Sequence, residues 1–138
     1  MHEPSEEVDK VAQQVVDAAL AVHRELGPGY LEAAYEQAFC FELGDRGISF
    51  QQQVPVELRY LGRTVGAYRL DVLVSGLVVV EIKAVEVLAP VHAVQVRSYL
   101  KATGLDVGLL INFNARLLKE GLRRIIYTDH LRHPAERA

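Results

Sequence analysis

Apolar residues recur at helical spacing near the start of the chain. Val8, Val11, Ala12, Val15, Ala19, Val22 and Leu26 follow one another at intervals of three or four, which lines one face of an α-helix. Ser5 stands where it can cap that helix, and Glu6, Glu7 and Asp9 suit the positive end of its dipole. Gly27-Pro28-Gly29 stops it. A second helix is expected from about Tyr30 to Asp45, with Gly47 ending it.

The period then changes from helical to twofold. Val54, Val56, Leu58 and Tyr60 alternate with polar residues, the pattern of a half-buried strand. Leu61-Gly62-Arg63 reads as a turn, Thr64 to Val74 as a second strand, and Ser75-Gly76 as another turn. Leu77 to Lys83 forms a third strand. Its run Leu77-Val78-Val79-Val80 is apolar on both alternating faces, which predicts a central position. Pro90 fits the first turn of a third helix that runs to about Thr103, with Gly104 as its stop. Asp106 to Asn112 is a fourth strand, and Leu122 to Tyr127 a fifth at an edge.

The order α-α-β-β-β-α-β-(β) predicts an α/β domain. Three sequential strands form an antiparallel meander, and the helix after the third crosses over to a parallel fourth. A chain of 138 residues fits a single domain, 1–138, with its core over about 8–128. Residues 1–4 and 133–138 read as loose ends.

Composition changes this picture little. Half the residues are apolar and 24% charged, an ordinary globular balance. One cysteine, Cys40, excludes an internal disulfide, which suits a cytoplasmic protein. No apolar run spans a bilayer, and Met1 to Lys10 lacks a signal-peptide pattern. Charge is more informative than composition. Residues 1–96 carry 7 Lys/Arg against 14 Asp/Glu, a balance of −7. Residues 97–138 carry 8 against 4, a balance of +4. Arg116, Lys119, Arg123, Arg124 and Arg132 dominate that basic end, which can serve either as a phosphate-binding patch or as a solvated surface.

The candidate chemistry sits on the third strand. Glu81 and Lys83 are two apart, so both point to one face, and charges on an apolar strand are costly if buried unpaired. Asp71 lies one strand earlier. Opposing it to Glu81 centres the hairpin on Gly76 and requires an odd-numbered loop such as Ser75-Gly76-Leu77, with Gly76 at positive φ. Two carboxylates so placed can hold a hard cation such as Mg²⁺ or Mn²⁺. A cation there polarises a phosphoryl oxygen and acidifies bound water, and a nearby lysine neutralises developing charge. On two helices, Gly29, Glu32 and Tyr35 form G-x-x-E-x-x-Y, while Gln95 and Tyr99 stand one turn apart with His92 near the same face.

These three runs, in this order, resemble the GxxExxY protein family, which is grouped with the PD-(D/E)XK nuclease superfamily. The resemblance covers roughly residues 8–128, and the segments 25–32 and 109–113 share it. It implies a restriction-endonuclease-like fold and a metal-dependent nuclease acting on nucleic acid, DNA before RNA. Residue by residue, Glu32 is similar to the helical carboxylate of RecB-like sites. Asp71 and Glu81 are similar to the central metal ligands, with the Ile82 carbonyl as a further ligand. Lys83 is similar to the catalytic lysine, and Gln95 and Tyr99 to the pair that contacts substrate beside Tyr35 and His92. Leu70 precedes Asp71 where the superfamily's name has proline.

Other reactive residues read as structural. Cys40 lies in an apolar segment with nothing nearby to lower its pKa. His2, His130 and His133 read as solvated, and His23 as packed or on a helix surface. No Cys/His spacing suggests zinc, and no glycine-rich phosphate loop is present. The competing expectation is a non-catalytic nucleic-acid-binding or assembly module that keeps the fold. A homodimer through the apolar face of the first helix is compatible with either.

Overall fold

A computed structural model describes residues 3–128. Its elements are α1 (Glu6–Leu26), α2 (Glu32–Asp45), β1 (Phe50–Tyr60), β2 (Arg63–Val74), β3 (Val78–Lys83), α3 (Pro90–Thr103), β4 (Val107–Asn112), a 3-10 turn at Leu118–Gly121, and β5 (Leu122–Ile126). The strands form one sheet in the order β1-β2-β3-β4-β5. β3 is central, as its all-apolar run predicts. β1, β2 and β3 are antiparallel neighbours, β4 is parallel to β3, and β5 is an antiparallel edge. The expected α/β architecture is the one observed.

The helix ends follow the local chemistry. Ser5 caps α1 by accepting the Val8 N–H at 3.2 Å, and Gly104 closes α3 in the left-handed region at φ 77. The expected start of β1 falls short, because the polar run Phe50–Gln53 already belongs to the strand. Gln52 and Gln53 bond to α2 side chains rather than facing core, so the twofold pattern does not show there.

Helices cover both faces of the sheet. On one face α1 and α2 pack on Val72, Val74, Val78, Val80, Ile82, Val107, Leu109 and Ile111. On the other, Tyr99 and Leu100 of α3 pack with Val56, Leu70 and Val79. The apolar face of α1, from Val8 to Val22, is consumed by the first of these cores. It is therefore not free to form the homodimer interface considered above. Cys40 is buried in the same core, and burial beside Glu36 pushes its thiol up to about 12. Among the described residues no helix is long and apolar enough to cross a membrane.

β1 and β2 extend together as a two-stranded arm well past the end of β3, with Leu61 and Gly62 at its tip in positive φ. β4 presses close to α3. A Cβ added at Gly108 would lie 2.5 Å from Val96 Cγ1, so glycine sets how near that helix sits to the sheet.

Candidate active site

The hairpin condition set by the sequence is met. β2 and β3 are joined by the three-residue loop Ser75-Gly76-Leu77, and the pairs Val74–Val78, Leu73–Val79 and Val72–Val80 are all centred on Gly76. Gly76 has φ 66. Ser75 also has positive φ, 53, which its sequence gave no reason to expect.

The next rung, Asp71 opposite Glu81, is missing from the backbone ladder. In its place a side chain closes the seam. Asp71 Oδ2 accepts the N–H of Ile82 at 2.8 Å, so an otherwise unmet backbone donor is satisfied by a carboxylate. β2 and β3 part from this point on. The parting leaves a gap in the ladder, filled by side chains, between two strands of an interior sheet.

Glu81 stands in that opening. It is 4% exposed, and its Oε1 is buried without a hydrogen-bond partner. Its carboxyl is pushed up to about 8. Burial is the main cause. The neighbouring Asp71 adds to it, first by a hydrogen bond and then by its charge. Lys83 opposes the shift by favouring the anion, and Glu32 adds a small repulsion. Asp71, Glu81, Lys83 and Glu32 therefore share one electrostatic neighbourhood, though Glu32 itself, at the first turn of α2, is exposed. Tyr99 joins them from α3. Burial raises its hydroxyl to about 12, reinforced by Glu81 and Asp71 and by Tyr68, whose ring lies 5.5 Å away. Gln95, one turn earlier, is half-buried.

Two residues expected near the substrate are engaged in structure. Tyr35 is fully buried, stacked on Phe113 at 5.0 Å. Its hydroxyl donates to the Gly27 carbonyl at 2.6 Å and accepts the Tyr30 N–H at 3.1 Å. It shapes the loop that leads to Glu32 and presents no surface. His92 Nδ1 accepts the Ala89 N–H at 3.0 Å and so caps α3.

The residues that brace the site were not legible in the sequence. Asn112, buried at the end of β4 opposite Lys83, holds Val85 through both ends of its amide, at 3.0 and 2.9 Å. Asn114 accepts the Gly29 N–H and donates to Val85 O. Together they tie the loop before Glu32 to the loop after Lys83. The one available signal is a polar residue ending an apolar strand, where burial demands partners.

The basic end is largely used internally. Arg124 pairs with Asp9 at 2.6 Å. Arg123 donates to the carbonyls of Glu120 and Leu122, and Arg116 lies 3.7 Å from Glu120. Arg132, His2, His130 and His133 lie outside the described residues. His23 is packed, with Nε2 2.7 Å from the Ala115 carbonyl.

The donor set fits a hard cation. Two carboxylates converge, one of them with an unused buried oxygen, and desolvation penalises their joint charge until a positive ion balances it. Among the described residues no three His, Cys, Asp or Glu side chains are placed to hold a metal ion together, so Glu32 does not close a site with Asp71 and Glu81.

Comparison with known proteins bears on this geometry. No match was found among curated proteins or among solved structures. The family model described as the PD-(D/E)XK nuclease superfamily matches residues 9–125, which include both strands of the seam, α2, α3 and most of α1. The fold and that match agree: the chain belongs to the PD-(D/E)XK nuclease superfamily.

Proposed function

We propose that this protein is a divalent-metal-dependent nuclease that hydrolyses phosphodiester bonds of nucleic acid, DNA in the first place. The observation that carries the reading is the buried Glu81 oxygen without a partner beside Asp71. A fold gains nothing from such an atom unless a ligand completes it. Asp71 and Glu81 are the residues that would hold Mg²⁺ or Mn²⁺, with the Ile82 carbonyl as a third donor and Glu32 at the outer side. When bound, the ion supplies Lewis-acid polarisation of the phosphate and a more acidic water.

The chain's own side chains supply the rest. Lys83 projects from the same face of β3 as Glu81 and offers its ammonium to the attacking water and to the charge that develops on phosphorus. Tyr99 keeps its proton across the physiological range and so donates a hydrogen bond towards a phosphate oxygen. Gln95 offers an amide beside it.

The test is a cleavage assay on single- and double-stranded DNA and on RNA, with Mg²⁺, Mn²⁺ or EDTA. Cleavage that needs the metal and is lost in Glu81→Ala and Lys83→Ala, with folding intact by circular dichroism, is the expected result. Equal cleavage by Glu81→Ala would overturn the site.

A second reading, an assembly module that keeps the fold without cutting, draws on the balance of −7 over residues 1–96. Such a field repels a phosphate backbone. A protein that neither binds nor cleaves any nucleic acid under any metal would favour it.

A further inference from the structure

We infer that Gln53, held by Glu36, is a positioning residue that aims the Asp71 carboxylate into the seam. Gln53 has φ 52 in the middle of β1, where a non-glycine residue is rarely left-handed. The register of β1 with β2 runs to Gln52–Val72 and resumes at Val54–Leu70, so the rung between Gln53 and Asp71 is absent.

The effect on the strands is an inversion of faces. In β2, Val72 and Val74 pack beneath α1 and α2, whereas Leu70 packs on the α3 side. Strict alternation would keep Leu70 with Val72. In β1, Phe50 belongs to the first side, and Val54 and Val56 belong to the second. Both strands change face at the same rung. Asp71 sits at that change, which is how its carboxylate comes to lie between β2 and β3 and reach Ile82 N–H, rather than standing out from one face.

The irregularity is fastened from α2. Gln53 Nε2 donates to both Glu36 oxygens at 3.1 and 3.0 Å. Gln52 Nε2 reaches the same carboxylate at 3.1 Å. Two consecutive strand residues therefore turn to one helix, which regular pleating forbids. Glu36 is four residues after Glu32, hence on the same helix face. One face of α2 thus delivers a carboxylate to the neighbourhood of Glu81 and a latch to the strand that orients Asp71.

The consequence for the metal rests on the reading proposed above, but the aim of Asp71 can be tested apart from it. The amide of Ile82 reports the Asp71 hydrogen bond directly by NMR hydrogen exchange. Gln53→Val, whose branched side chain opposes positive φ, should strip that amide of protection while amides of β4 keep theirs. It should also weaken Mn²⁺ binding about 10- to 100-fold, the usual range for residues that orient a ligand. Gln53→Gly, which accepts positive φ but loses the latch, should fall between native and Gln53→Val, and so should Glu36→Ala. If Gln53→Val does not fold, Glu36→Ala and Gln53→Gly carry the same test on Ile82.

Native protection of Ile82 in Gln53→Val, or in both of the other variants if Gln53→Val fails to fold, overturns the inference. So does an Ile82 amide exposed no less in Gln53→Gly than in Gln53→Val, since the backbone conformation would then not be what matters. A native protein that binds no Mn²⁺ while Ile82 responds in this order leaves Gln53 as the residue that aims Asp71 and removes the metal reading alone.

Discussion

β3 has two unlike neighbours. Against β4 it is paired along its whole length, from Val78–Val107 to Lys83–Asn112. Against β2 it is paired over three residues and then released. The closed side is apolar but for Asn112 at its end, with every β4 residue buried. The open side holds two carboxylates and a lysine. One strand thus serves stability with one edge and chemistry with the other. The sheet gives up backbone pairing only where a side chain, Asp71, can take over an orphaned donor.

The largest effect should come from the open side through pH. Folding raises Glu81 from 4.5 to about 8, so the folded protein retains a proton that the unfolded chain has released. Unfolding then releases that proton, and stability falls as pH rises from about 4.5 to about 8 and levels off above. Urea titrations without metal should show this slope, and Glu81→Gln should flatten it. Mn²⁺ should restore stability at the alkaline end by binding the folded state.

On the closed side, Ile111→Ala removes a fully buried side chain opposite Ile82. The expected loss is about 2–5 kcal/mol, nearly independent of pH and metal, read from the same titrations. A metal-dependent loss there would erase the contrast between the two edges.

Asp71→Ala leaves the Ile82 N–H without its acceptor and should cost about 1–3 kcal/mol. Asp71→Asn supplies an amide oxygen and should recover most of that stability without recovering metal binding. Thermal melts and Mn²⁺ calorimetry separate the two outcomes. The smallest effect is at Cys40, on α2 in the core over one face of the sheet. Its thiol, raised to about 12, should resist alkylation at pH 8 until the protein is unfolded.

The sequence was most readable where burial and period coincide. The apolar run of β3 announced its central place, and the parity of residues 71 and 81 foretold the odd loop around Gly76. The same parity argument fell one step short. It expected Asp71 to share a face with Glu81, whereas Asp71 lies at a rung where faces invert and its carboxylate turns into the plane of the sheet. Nothing in Gln51-Gln52-Gln53 marks that inversion, because polar residues outside the core leave no period to read. Tyr35 misled for the opposite reason. A tyrosine one turn from Glu32 fits a binding face equally well as a buried brace, and only the contacts of its hydroxyl decide. The basic end likewise has a charge count that cannot show which arginines already have partners.

The open seam bears on solubility as well. An interior strand with an unpaired stretch of backbone invites strand addition by another chain, the first step of aggregation. Here the stretch is closed to another chain: Glu81 and Ile82 are buried, and Asp71 is seated on the Ile82 N–H. A donor already occupied gives an incoming strand nothing to pair with. Asp71 therefore guards the sheet against its own copies, and variants that remove its carboxylate should be judged for aggregation before they are judged for activity.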